Sequence, residues 1–247
     1  MLGLPESVRA CLFDLDGVLT QTAKVHAAAW KDMFDVFLRQ HAAQTNTAFV
    51  PFDAVEDYDA YVDGKPRLDG TRSFLQSRGI ELPEGSAGDS ADADTVHGLG
   101  TRKNDIVLRM IKHDGVEPYE GSVRYVHAVR DAGLAPAVVS SSTNCRDVLA
   151  AAGIEDLFDA RIDGVLAERD HLQGKPAPDT FLAGARALGV KASEAVVFED
   201  ALAGVAAGRA GSFGLVVGVD RVGQADALRE HGADVVVKDL SELLEQR

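Results

Sequence analysis

Short apolar, β-branched runs alternate with helix-period segments along most of this chain. Residues 8–13 (VRACLF), 134–139 (LAPAVV), 195–198 (AVVF), 213–219 and 233–237 read as strands. Helical patterns follow near 143–152, 178–188, 201–210 and 222–231, and most of them stop at a glycine: Gly153, Gly189, Gly211 and Gly232. Strand and helix in alternation predict an α/β fold, a parallel and doubly wound sheet. Pro136 lies inside the second run and argues against a central, regular position for that strand.

A different pattern interrupts this alternation after the first strand. Trp30, Met33, Phe34, Phe37 and Leu38 recur at i, i+3, i+4, i+7 and i+8, which predicts one buried helical face. A further helix is expected over 101–112, and 83–95 (PEGSAGDSADADT) reads as an acidic, mobile loop. The segment is too long for an ordinary connection. The expected organisation is an α/β core domain from 1–21 and 116–247, with a helical cap domain from 22–115 inserted over the strand ends.

Composition narrows the class. The 247 residues are 46% hydrophobic and 26% charged, which excludes a disordered chain. That length supports a core without disulfides or structural metal. Lys and Arg number 25 against 39 Asp and Glu, a net charge of −14 that opposes binding to nucleic acid or anionic membranes. Cys11 and Cys145 have no metal-ligand spacing and read as reduced core thiols. No apolar run reaches the ~18 residues of a membrane span. The opening MLGLPESV lacks the features of a signal peptide. A cytoplasmic monomer is the default expectation.

In an open parallel sheet the functional crevice lies beyond the carboxyl ends of the strands. Sorted by that rule, the first strand delivers Asp14 and Asp16, the second Ser140 and Ser142, and the 195–198 strand Glu199 and Asp200. Lys175 comes from GKPAPD just before a helix, its backbone restricted by Gly174 and Pro176; a cis Lys–Pro bond is one option there. Two unit charges 4 Å apart repel by roughly 4 kcal/mol at an effective dielectric of 20. Four gathered carboxylates therefore raise their pKa values or admit a multivalent cation, and all-oxygen ligands beside a phosphate favour Mg²⁺. An Asp pair alone is commonly a solvated loop feature; the joint pattern is what points to metal. Ser140, Ser142 and Asn144 offer donors to phosphate oxygens, although helix capping is the ordinary use of such residues. A carboxylate beside Mg²⁺ and a bound phosphoryl group can attack phosphorus. Asp14 closes the strand and is the better-fixed nucleophile, while Asp16 faces the same way as general acid and base.

DLDGVLT (14–20), VVSSS (138–142), GKPAPD (174–179) and FEDALAG (198–204) resemble, in order, the four motifs of the haloacid dehalogenase superfamily. Thr22, His26 and Trp30 in TxxxHxxxW, the RKND string (102–105) and SSSTN (140–144) resemble its β-phosphoglucomutase-like subgroup with a helical cap. The resemblance implies Asp14 as nucleophile and Asp16 as acid and base. It implies Mg²⁺ held by the Asp14 carboxylate, the Asp16 carbonyl and Asp200, with Glu199 assisting. Ser140 and Lys175 take the phosphate, joined by Ser141, Ser142 and Asn144 of the same string. It further implies a catalytic part for Thr22 and His26, and sugar-phosphate contacts from Trp30, Lys103 and Asn104.

Thr22, His26 and Trp30 are spaced i, i+4, i+8 and share a helical stripe; a partly buried histidine and a packed tryptophan are the plain alternatives. Arg72, with Lys65 and Arg67 in DGKPRLDGTR, offers a grip for a distal phosphate, or else solvated surface charge. Gln21 stands where an acidic residue or asparagine is usual. Asp69 stands where the mutase grip has lysine, and Arg72 matches after a one-residue shift. The implied activity is a sugar phosphomutase converting β-glucose 1-phosphate to glucose 6-phosphate. A phosphatase acting on a small sugar phosphate is the alternative. A non-enzymatic phosphorylation switch is a remote third reading, opposed by the large insert and by Asp16.

Overall fold

A computed structural model describes residues 2–245. The chain forms two compact units. The first draws on Met1–Gln21, Gly64–Pro66 and Val116–Arg247; the second comprises Thr22–Asp63 and Arg67–Gly115.

Among the described residues the first unit is built on six strands: β1 (Ala10–Phe13), β2 (Ala135–Val139), β3 (Ala160–Ile162), β4 (Ala195–Glu199), β5 (Leu215–Val219) and β6 (Val235–Val237). All pairings are parallel, in the order β3-β2-β1-β4-β5-β6. The order reverses direction between β1 and β4, and such a switch point opens a crevice outside the strand ends. Both strands are buried along their whole length, as expected of a parallel sheet covered on two faces. One face carries Ala10, Leu12, Val139 and Val197 against Phe181, Ala185, Val205 and Leu228. On the other, Tyr125 meets Phe13 edge-on at 6.4 Å, and Phe13 stacks on Phe198 at 4.6 Å.

Pro136 does not mark an edge: β2 pairs with β1 on one side and β3 on the other. Ala135 N donates to the Arg9 carbonyl of the β1 side, whereas Ser140 N donates to Ile162 of β3. Even-numbered residues of β2 therefore turn their amides toward β3. The β3 ladder begins only at Ala137↔Ala160, so the donor Pro136 lacks falls just short of it. Its carbonyl still accepts from Asp159 N at 2.9 Å. Strand β3 carries the polar Arg161 at its centre and so presents no apolar run in the sequence.

The second unit is helical. Its main helices are α1 (Ala23–Thr45), α2 (Arg67–Ser77) and α3 (Val96–Asp114), with a π-helical turn at Tyr58–Val62. The five residues of the expected stripe on α1 are all buried, in an aromatic cluster with Phe52 and Phe74. The 83–95 loop is pinned rather than loose. Asp89 accepts from Ser86 Oγ at 2.8 Å and Thr95 Oγ1 at 2.6 Å, and Thr95 accepts from Gly98 N to start α3. The helix expected at 101–112 thereby begins a turn and a half earlier than its apolar pattern suggested.

The remaining helices, α4 (Glu120–Asp131), α5 (Cys145–Ala151), α6 (Gly164–Arg169), α7 (Asp179–Ala187), α8 (Leu202–Ala210), α9 (Ala225–Glu230) and α10 (Glu242–Glu245), belong to the first unit. Among the described residues no helix is long and apolar enough to cross a membrane.

Candidate active site

Register places the acidic groups. Phe13 is level with Val138 of β2 and Phe198 of β4, so Asp14, Val139–Ser140 and Glu199 leave the sheet side by side. Asp14 N continues the ladder by donating to Phe198 O at 2.9 Å, which fixes its backbone before its side chain turns outward. Asp14, Glu199 and Asp200 are buried, and one carboxylate oxygen from each lies within 4.8 Å of the others.

Lys175 is buried with them. Its Nζ donates to Asp14 Oδ1 and, at 2.5 Å, to Glu199 Oε1. The Lys175–Pro176 peptide is cis. The second oxygen of Glu199 accepts from Ala201 N at 2.7 Å, so both of its oxygens are committed. Burial pushes the Asp14 carboxyl well above the usual carboxylate range. The Lys175 ammonium opposes that rise, while Glu199 and Asp16 add to it. For Lys175 burial disfavours the charge, but Asp14 and Glu199 together outweigh it and hold the ammonium protonated beyond its ordinary value.

The turn after β1 brings Asp200 close. Gly17 has φ +85°, and a Cβ built there would lie 1.6 Å from Asp200 Oδ2. Any side chain at 17 would occupy the place of the Asp200 carboxylate. Asp16, half-buried, has its carboxylate outside the three-oxygen group. The three clustered oxygens form a hard, anionic donor set of the kind Mg²⁺ takes, and one lysine does not neutralise it.

The serine string forms a tight loop. Ser140 Oγ accepts from Ser142 N and Ser142 Oγ from Asn144 N, each at 3.1 Å. Ser141 Oγ instead donates to the Gly64 carbonyl at 2.8 Å. Gly164, at the start of α6, lies so close that a Cβ would meet Ser141 O at 2.7 Å. Asn144 precedes α5 without a side-chain capping bond, so simple capping does not account for its presence.

Other predicted residues lie in the helical unit. Thr22 is buried at the head of α1, and its carbonyl accepts from His26 N at 2.9 Å. His26 Nδ1 is 2.6 Å from Lys103 Nζ, and the lysine sits over the Trp30 ring at 4.9 Å. Trp30 is itself 3% exposed and stacked on Phe34, so its ring is spent on packing. Asn104 Oδ1 accepts from Arg67 Nη1 at 2.6 Å. Arg72 is paired twice, with Asp69 at 2.6 Å and with both oxygens of Glu84.

Two contacts come from a loop no motif announced. Arg221 Nε donates to Gly17 O at 2.9 Å, and Gln224 Nε2 donates to Asp200 O at 3.1 Å. Neither residue lies within a recognisable signature; only the tertiary structure reveals them.

The family's sequence profile, that of the haloacid dehalogenase-like hydrolases, matches residues 8–211. The chain belongs to this family and is an enzyme of it. It is 59% identical over 247 residues to a β-phosphoglucomutase of Mycobacterium bovis, covering 99% of this chain and 94% of the relative. It is 32% identical over 208 residues to the fructose-1-phosphate phosphatase YqaB of Escherichia coli, covering 83% of this chain and 93% of that protein. Among solved structures, a β-phosphoglucomutase from Clostridium difficile superposes with a TM-score of 0.73 at 25% identity, covering 96% of this chain and 93% of the other.

Proposed function

We propose that this protein is a Mg²⁺-dependent sugar phosphomutase that converts β-glucose 1-phosphate to glucose 6-phosphate through an aspartyl phosphate on Asp14. The observation that carries the reading is the buried meeting of Asp14, Glu199 and Asp200 with Lys175, in a chain with a mutase relative of nearly the same length. Asp14, Asp200 and the Asp16 carbonyl would hold Mg²⁺, with Glu199 supporting them through Lys175. The ion, when bound, offsets the repulsion among these carboxylates and the charge of the phosphoryl oxygens.

An Asp14 oxygen attacks phosphorus, and the bond to the sugar oxygen breaks as Asp16 gives that oxygen a proton. In the return half-reaction Asp16 takes the proton of an incoming sugar hydroxyl, which attacks the aspartyl phosphate and frees Asp14. Lys175, Ser140 and the amides entering α5 hold the transferring group. The helical unit plays the part of the cap domain. Within it Arg67, which donates to Asn104 Oδ1, is a candidate grip for a distal phosphate, while two carboxylates already meet the charge of Arg72. Lys103 and His26 supply a polar pair beside it, with Trp30 as packing beneath the lysine.

The second reading is a phosphatase, in which water takes the phosphoryl group; the similarity to the E. coli phosphatase favours it. Purified protein given β-glucose 1-phosphate, Mg²⁺ and a trace of glucose 1,6-bisphosphate decides between them. Glucose 6-phosphate without matching phosphate release supports the mutase, whereas stoichiometric phosphate release supports the hydrolase. With Asp14→Ala neither product forms and no phosphoenzyme accumulates; a phosphoenzyme in that variant refutes both.

A further inference from the structure

We infer that the loop following β5 sets the affinity of the metal site, with Arg221 and Gln224 as positioning residues that fix the spacing of the two turns supplying its oxygens. The inference rests on the metal reading proposed above and adds residues that lie outside every recognised motif.

The loop is itself rigidly built. Asp220 is 9% exposed, its amide continues the ladder to Val237 O at 2.8 Å, and its Oδ1 accepts from Gly223 N at 2.6 Å and Gln224 N at 2.8 Å. A carboxylate turned back on two amides locks the short turn, so the side chains at 221 and 224 leave from fixed backbone.

They reach different turns. Arg221 Nε donates to the carbonyl of Gly17, and Nη2 lies 3.4 Å from Val18 O and from Ser122 Oγ. Its guanidinium stacks over Tyr119 at 3.6 Å, and Nη1 donates to Lys238 O at 2.7 Å and Asp239 Oδ2 at 3.1 Å. The side chain is 15% exposed and anchored from several sides, so its hold on Gly17 is stiff. Gln224, three residues on, holds the backbone of Asp200.

The two gripped positions are the pair already in closest approach. The Asp200 carboxylate occupies the space beside the Gly17 Cα, where no side chain intervenes. Gly17 follows Asp16, whose carbonyl is one proposed ligand, and Asp200 is another. One loop thus clamps both ligand-bearing turns from behind and sets the gap between them. Mg²⁺ tolerates little departure from its octahedral spacing, so a change in that gap appears first as lost affinity. Groups that orient ligands without touching the metal typically govern it by about 10–100-fold.

The test measures binding of Mn²⁺ alone, a hard cation counted by the EPR signal of the free ion, and the Mg²⁺ dependence of turnover. Arg221→Ala should raise the Mn²⁺ dissociation constant by roughly 10-fold or more. Arg221→Lys keeps a donor for a single carbonyl and should recover part of the loss. Gln224→Ala removes one neutral hydrogen bond from a side chain on the loop, and should weaken binding by about 3-fold, less than the usual outer-shell effect. In each variant kcat at saturating Mg²⁺ should fall far less than affinity. Circular dichroism checks folding, and Gln224→Ala decides the matter should Arg221→Ala fail to fold. Folded variants that bind Mn²⁺ as the wild type does overturn the inference and leave the metal reading standing. A wild-type protein that binds no Mn²⁺ overturns the metal reading and this inference with it.

Discussion

Lys175 Nζ stands 2.5 Å from Glu199 Oε1, with 1% and 0% of the two side chains exposed, and the same ammonium also bonds Asp14. One buried cation therefore serves two buried carboxylates contributed by different strands. Removing one member of such a set leaves uncompensated charge in a low-dielectric site, which costs about 3–5 kcal/mol.

Lys175→Met is expected to lose roughly that 3–5 kcal/mol of folding stability, together with turnover. Urea unfolding in the presence of a chelator measures the first. A loss under ~1 kcal/mol would show that the carboxylates simply take up protons and that the lysine is dispensable to the fold.

Gly17→Ala should keep the sheet but displace Asp200, because the new methyl falls on its carboxylate and the backbone has φ +85°. Divalent-cation affinity is expected to drop by roughly 10-fold or more. A titration with Mn²⁺ reads it directly, and unchanged affinity contradicts the placement of Asp200 in the ligand set.

The two arginines of the α2 segment should separate. The Arg72 side chain is 44% exposed and pairs with surface carboxylates, so Arg72→Ala should change stability by under about 1 kcal/mol and leave KM close to wild type. Arg67→Ala removes a charge-assisted contact from the proposed distal-phosphate grip, worth roughly 1.5–3 kcal/mol or about 10–100-fold in bisphosphate KM. Steady-state kinetics of both variants suffices. The reverse ranking assigns the grip to Arg72.

Cys11 and Cys145 are fully buried, and burial pushes both thiols above their ordinary value. At pH 8 a disulfide reagent is expected to find neither thiol in the folded protein and both in urea. Because the folded-state pKa values are raised, the neutral thiols contribute full stability below the ordinary thiol pKa near 9. That contribution falls as the pH climbs past it, since the unfolded chain then releases protons the folded one retains. Rapid labelling of either cysteine in native buffer contradicts this.

Much of the fold is local in origin and so was legible. Unbroken apolar runs at 10–13 and 195–198 suit short strands covered on both faces, and the helix-period stripe from Trp30 to Leu38 suits one buried helix face. The features that local sequence does not show are short or neutralised by context. β3 is three residues with Arg161 at its centre, whereas the equally short β6 is an unbroken valine run and is legible. Pro136 reads as a strand breaker until the neighbouring ladder is seen to begin one residue later. The acidic loop reads as mobile until Asp89 is seen tied to Ser86 and Thr95.

For the site, the chain by itself determined the types and order of the reactive groups: acids after β1 and β4, a serine string after β2, and a lysine beside proline. It did so because strand ends of a parallel sheet converge, and each motif is contiguous. Only the tertiary structure decided which charges meet. It tied Lys175 to Glu199 as well as Asp14, spent Arg72 on Glu84 and Asp69, and brought Arg221 and Gln224 onto Gly17 and Asp200. Those pairings join residues up to 204 positions apart. An interaction that decays over a few ångströms depends on where packing puts two groups, and nothing in their local sequence records that distance.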